Sequence, residues 1–364
     1  MARVVIPCAQ SYERVKRALS NLHTKRQRII LLLTSLVPAI ALWSVQQGAM
    51  PVDVIDVFKH WYSNSLNAEY AMHWLVLTEI RLPRVVLTVI TGSMLAVSGA
   101  VMQGLCRNPL ADPGLIGVSS GAALFAAAAL LFGGWWNIPA SSLQVVQPLM
   151  AFGGALIASV IVFRLARTST GVNTLLLILA GVAINALAGT LLGLINAVAD
   201  DDTLRSIVFW TMGSYASVTW LEVIITALVA APILAFFFSY HQSLTLMLGG
   251  DNEARCLGVA VDKVKTLSLI GVALGTALAV CFTGIVGFVG LVVPHICRLI
   301  LGPDYRYLLP ASACLGALLV VIADALARTL VAPAELPVGI ITSLIGVPFL
   351  LYLLAKQRTR VAHA

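Results

Sequence analysis

Residues 81–114 read RLPRVVLTVITGSMLAVSGAVMQGLCRNPLADPG, and what solvates this stretch decides the fold. The stretch holds four glycines, and its apolar run opens on two arginines and closes on RNPLADPG, a polar turn with two prolines. A bilayer core about 30 Å thick takes roughly 20 apolar residues at 1.5 Å each, and a backbone in lipid must satisfy its own hydrogen bonds. The run at 84–106 therefore reads as a membrane helix. Its arginines raise the question of why positive charge stands at the mouth of such a helix.

The rest of the chain repeats the pattern. Of 364 residues, 59% are hydrophobic and 11% charged, with a mean hydropathy of +0.94; ordinary soluble domains hold about 25% charged residues. Long continuous runs favour helices over the short alternating strands of a barrel. They fall at 28–47, 84–106, 114–134, 145–166, 172–198, 218–240, 264–283, 284–301, 308–331 and 336–355, about ten spans in an all-α polytopic membrane protein. Glycines interrupt the pair at 264–301 throughout. The basic leader, 1–27, is too long for a secretory signal and lacks a nearby small-x-small cleavage site, so the first span is read as retained. A transmembrane region, 28–355, follows, and then a tail, 356–364.

Positive charge sets the orientation. With both termini inside, eighteen of the 23 lysines and arginines lie on the inner side, and only Lys59, Arg81, Arg84, Arg205 and Arg328 lie outside. That asymmetry satisfies the positive-inside rule. The net charge of +7 is then a topology signal and implies no nucleic acid.

Three segments are more polar. The first, 48–80, is read as an outer loop with a short amphipathic helix on the membrane surface. The second, 196–220, is outside too, with an acidic cluster and Phe209, Trp210 and Trp220 anchored at the interface. The third, 243–265, is inside and reads as one or two short helices, a docking element. Glycines within the spans let helix backbones approach closely. A faint echo, GSMLAV at 92–97 and GTALAV at 275–280, fits two related halves.

Catalytic signatures are missing. No lysine follows a glycine, so there is no GxxxxGK loop for ATP. The six histidines form no HExxH pair, and the six cysteines form no CxxC pair, which supports neither a zinc site nor a disulfide framework. Asp324 is the one ionisable residue deep in a span, and its i, i+4 spacing to Arg328 points to a structural ion pair. His295, beside Pro294, is placed to cap backbone carbonyls. Spans without coupling carboxylates argue against a carrier driven by protons or sodium, the rival class of reading.

RLPR, SGAVMQGLCRNPLADPGLIGVSSGAAL, LGGDNEARCLGV, TGIVGFVGLVVPHICRLILG, ADALAR and ELPVGIITSLIGVPFLLYLL, in that order over about 75–355, resemble the permease subunits of bacterial ABC importers for iron siderophores, haem and vitamin B12. The resemblance implies the type II importer architecture in the bacterial inner membrane, both termini cytoplasmic. It further implies a homodimer, two ATPase subunits that bind ATP and Mg²⁺ below it, and a periplasmic binding protein above. No cofactor or metal is expected in this chain itself. Coupling helices would comprise Leu248, Gly249, Gly250, Asp251, Glu253, Ala254, Arg255, Leu257 and Gly258. Arg81, Arg84 and Arg328 would receive acidic residues of the binding protein. Asn108 and Leu110, with Thr174 a weaker match, would form the cytoplasmic gate. The segment ADDDTLRSIVFWTMGS is more like the haem permeases than the siderophore ones, so haem is the expected cargo, with a siderophore or cobalamin as the alternative.

Overall fold

The computed structural model describes residues 6–48, 50, 52–63, 68–169 and 171–362. Residues 1–5 of the expected leader and 363–364 of the tail lie outside them. In chain order the helices are α1 (Ile6–Gln46), α2 (Val54–Tyr62), α3 (Ala68–Leu75), α4 (Leu82–Leu105), α5 (Val118–Trp135), α6 (Ala140–Ala166), α7 (Thr174–Val198) and α8 (Asp201–Thr211). They continue with α9 (Trp220–Ser239), α10 (His241–Met247), α11 (Asp251–Cys256), α12 (Val261–Thr283), α13 (Val289–Leu301), α14 (Tyr305–Thr329) and α15 (Val338–Ala362). Two-residue strands, β1 (Arg167–Thr168) and β2 (Gly171–Val172), pair antiparallel between α6 and α7.

Among the described residues, eight helices are long and apolar enough to cross a membrane, and two shorter apolar ones, Val289–Leu301 and Val338–Leu353, join them. The protein is an all-α polytopic membrane protein, as its composition requires. Polar side chains start the helices where the sequence offers them. Asp53, Asn173 and Asp304 accept backbone N–H groups at the starts of α2, α7 and α14, and Thr219 with Glu222 forms a capping box on α9. Such caps satisfy donors that the first helical turn leaves orphaned.

α4 is the central helix: most of its residues are buried, whereas most of those in α7 and α9 are not. It packs on α14 and α13 through glycine. A Cβ at Gly92 would lie 2.5 Å from the Gly316 carbonyl oxygen, and one at Gly99 would lie 1.8 Å from that of Gly290. In lipid, where apolar surface alone drives little association, such backbone approach supplies the packing energy. The echo segments also meet, since a Cβ at Gly275 would lie 2.5 Å from the sulfur of Met94.

Four expectations change. α1 runs 41 residues, about twice the length the bilayer core needs, so leader and first span share one helix from Ile6. The outer segment 48–80 is α2 and then α3, which runs through a π-helical turn (Val76–Arg81) into α4 as one continuous apolar helix, Glu69–Leu105; RLPR thus lies within a helix. Segment 196–220 contains α8, and the chain after it is drawn into the bundle. There Tyr215 is fully buried with its hydroxyl 2.7 Å from that of Thr91, although Trp220 stays partly exposed. Finally, α12 and α13 are separated by residues 284–288, where Gly284 (φ 68°) and Phe288 (φ 65°) are left-handed. Three irregular segments meet at that break: Ser214 donates to Thr283, Val338 to Gly213 and Gly339 to Met212. Non-helical backbone at membrane depth survives only where protein or a cavity satisfies it, and here both do.

Candidate functional site

At one end of the bundle, the turn after α4 is fixed by its own hydrogen bonds. Arg107 is left-handed (φ 47°), and the amides of Arg107 and Asn108 return to Gly104 and Gln103, each at 3.1 Å. This is a Schellman closure with arginine where glycine is usual. The Asn108 side chain accepts from the Leu110 amide at 3.0 Å, and Asp112 accepts from Gly114 at 2.7 Å to start a 3₁₀ turn, Pro113–Ile116. Burial pushes the Asp112 carboxyl above its usual range, against the opposing effect of that Gly114 bond. His295 on α13 faces the Pro109 carbonyl, and Gln103 donates to the Leu291 carbonyl at 3.0 Å. The expected gate residues Asn108 and Leu110 therefore ride on one stiff turn. Thr174, at the start of α7, reaches the same place, its hydroxyl donating to Leu105 at 3.5 Å.

The segment carrying α10 and α11 lies beside this turn. α11 is six residues long, between Gly249–Gly250 (φ 146° at Gly250) and Gly258 (φ 84°). Ala254 is its buried foot, whereas Glu253, Arg255, Leu257 and Gly258 are exposed, Leu257 at 65%. Leu248 and Asp251 are half-buried, Gly249 is exposed and Gly250 is buried. Asp251 pairs with Arg107 at 2.5 Å and with Lys265 on α12. Arg255 pairs with Asp262 at 3.0 Å, and Asp262 leaves no room for a Cβ at Gly171 in the β hairpin. A cavity of about 580 Å³ separates α11 from the start of α7, lined by Arg107, Thr174, Asp251, Arg255 and Lys265 among others. The expected coupling and gate residues, read from separate stretches, thus converge. Cys106, at the end of α4, has its thiol pushed up to about 11 by burial, offset in part by Lys265.

At the opposite end, the three arginines expected to face a partner are buried. Arg81, Arg84 and Arg328 are each at most 5% exposed. Arg81 donates to the carbonyls of Val45 and Gln46 at 3.0 Å and to that of Met50. Arg84 holds Asp324 at 2.9 Å and Glu335 at 2.9 Å; Arg328 lies 3.1 Å from Asp324 and donates to the Gln47 carbonyl and the Ser44 hydroxyl, each at 2.8 Å. The i, i+4 pair of Asp324 and Arg328 is present as the spacing implied, with Arg84 as its third member. Within the chain these guanidiniums bind the end of α1 and the start of α4 to α14. The physical reason is Asp324: a carboxylate with no exposure must be paired. Glu335, its side chain 40% exposed, is the outermost acid of the cluster. Sequence reasoning passed over Glu335, Lys265 and Arg107 as functional positions; the only available signal was that each is charged next to a motif.

Between the two ends, two cavities share Thr211, Ile285 and Gly287 at the break in α12–α13. One, of about 700 Å³, is walled by Met212, Phe288, Ile340 and Leu344; the other, of about 570 Å³, adds Asp112, Ser119 and Asn185. Helices this apolar, packed by glycine around wide cavities where broken segments meet, make a membrane permease. The chain belongs to the FecCD transport family, whose model matches residues 34–356. It is 43% identical over 328 residues to the hemin transport system permease protein HmuU of Yersinia pestis, covering 90% of this chain and 95% of that one. To the cobalamin import system permease protein BtuC of Halobacterium salinarum it is 43% identical over 281 residues, 77% and 73% of the two chains. A solved structure described as a metal-chelate type ABC transporter in an inward-facing conformation superposes with a TM-score of 0.77 at 31% identity, covering 91% of this chain and 99% of that one.

Proposed function

We propose that two copies of this chain form the pore of an ATP-driven importer in a bacterial inner membrane, passing haem from periplasm to cytoplasm by alternating access. The observation that carries the reading is the near full-length similarity to a hemin permease, 43% identity over 90% of the chain. The apolar wall of Met212, Phe288, Ile340 and Leu344 supports it, because a flat macrocycle slides along such a surface without a ligand that would hold its iron. Both termini lie in the cytoplasm, and so does α11, which docks on a separate ATPase that binds ATP and Mg²⁺. This chain is therefore not itself an enzyme. An acidic periplasmic binding protein approaches the arginine end, where its carboxylates reach Arg84 by displacing Glu335. Charge-assisted pairs of that kind steer and register a partner.

Cobalamin is the second reading, favoured by the 43% identity to a cobalamin permease. Stimulation of ATP hydrolysis in the assembled complex separates the two. Haem-loaded binding protein raises the rate if the proposal holds, and a response to cobalamin or a ferric siderophore with none to haem overturns it.

A further inference from the structure

The bonds around Asp251 form a chain of rigid parts joined at flexible points. α11 is bounded by Gly249–Gly250 and by Gly258, with φ of 146° at Gly250 and 84° at Gly258, so a short rigid helix turns on two hinges. Its first residue, Asp251, gives one carboxylate oxygen to Arg107 and the other to Lys265. Arg107 belongs to the turn that carries Asn108 and Leu110, and the bonds from Arg107 to Gly104, Asn108 to Gln103, Leu110 to Asn108 and Ala111 to Asn108 leave that turn little freedom of its own. A displacement of Arg107 must therefore carry the turn with it. The cavity of about 580 Å³ beside α11 gives the lever room to swing toward the start of α7. Lys265, 8% exposed on the first turns of α12, holds the pivot to a helix of the core.

We infer that Asp251 is the mechanical link between motor and gate, with Arg107 the positioning residue on the gate turn and Lys265 the anchor of the pivot. A push on exposed Leu257 rotates α11, and Asp251 passes the motion to Arg107 through a charge-assisted bond, which holds direction as well as distance. The second pair, Arg255 with Asp262, ties the far end of α11 to the start of α12. This inference rests on the importer reading above and adds to it the path by which work reaches the turn.

The test uses the full complex, with its ATPase and binding protein, in liposomes, and measures cargo moved per ATP hydrolysed. Arg107→Gln and, independently, Asp251→Asn lower that ratio about fivefold or more, while Arg107→Lys, which keeps the ion pair, stays within about twofold of wild type. The ATPase still co-purifies with each variant. An unchanged ratio in both Arg107→Gln and Asp251→Asn overturns the link, as does a loss of transport that tracks loss of the ATPase from the complex, which would make the bridge part of docking. A wild-type complex with no ATP-dependent uptake defeats the importer reading, and the link with it.

Discussion

Replacing Asp324 by Asn tests the buried cluster quantitatively. The wild-type carboxylate has no exposed side-chain surface and lies 2.9 Å from Arg84 and 3.1 Å from Arg328, whose own side chains are 4% and 5% exposed. Asparagine keeps the shape and one acceptor oxygen but removes the charge, so two buried cations lose their common partner. Breaking a buried pair by removing one member costs about 3–5 kcal/mol, because the remaining charge is uncompensated. Arg84 retains Glu335 and Arg328 retains Ser44 and Gln47, which places the expectation at the lower end, about 3 kcal/mol. In a chain of this size each kcal/mol moves the melting temperature by about 2 °C, so the detergent-purified variant should melt about 6 °C lower. Glu335→Gln is the internal comparison: its side chain is 40% exposed, and a solvent-screened pair contributes about 0–1 kcal/mol, or 2 °C at most. Thermal unfolding followed by tryptophan fluorescence reads both. A shift under about 2 °C for Asp324→Asn, or a larger one for Glu335→Gln, refutes the assignment of these arginines to an internal staple.

Glycine packing and thiol chemistry give further checks. Gly99→Val drives its side chain into the Gly290 carbonyl, 1.8 Å from where a Cβ would stand, and should cost about 1–3 kcal/mol or more by forcing α4 from α13. Gly189→Ala, with nothing within 4 Å of its Cβ, should instead stabilise the protein by about 0.5–1 kcal/mol; thermal melts separate the two. Maleimide at pH 7.5 should label exposed Cys256 quickly and spare Cys106. With its pKa raised from 9.0 to about 11, Cys106 has a thiolate fraction about a hundredfold below that of an ordinary thiol, and labelling rises tenfold per pH unit until the pH approaches that value. Peptide mapping of the labelled protein decides it.

Much of this architecture is written in the spacing of residues along single elements. Apolar runs mark the spans because lipid penalises every unpaired polar group, and four residues between Asp324 and Arg328 place them on one helical face. Glycine at 92 and 99 is legible as a packing device because in lipid only close backbone approach rewards a missing side chain. The contacts that sequence reasoning could not reach join residues far apart in the chain. Arg84 and Asp324 stand 240 positions apart, and Arg107 and Asp251 stand 144 apart. No local pattern encodes such pairings. The bond of Arg84 to Asp324 was out of reach for that reason: Asp324 was seen as belonging to Arg328 alone. The continuity of Glu69–Leu105 was hidden by Glu79, Arg81 and Pro83, which read as loop. There the π-helical turn carries the backbone across, and Pro83 falls in the first turn of α4, where proline needs no donor. Segment 212–218 looked like outer loop because it is short and mixed. Its place is set by backbone bonds to Thr283, Val338 and Gly339, which depend on the fold already formed.

Uptake of cargo into liposomes holding the complete complex, with ATP inside or outside and haem or cobalamin on the binding protein, tests the central claim most directly. The account predicts haem accumulation only with ATP on the side that carries α11, and none when the ATPase is omitted. Haem movement without ATP, or accumulation of cobalamin in its place, would contradict it.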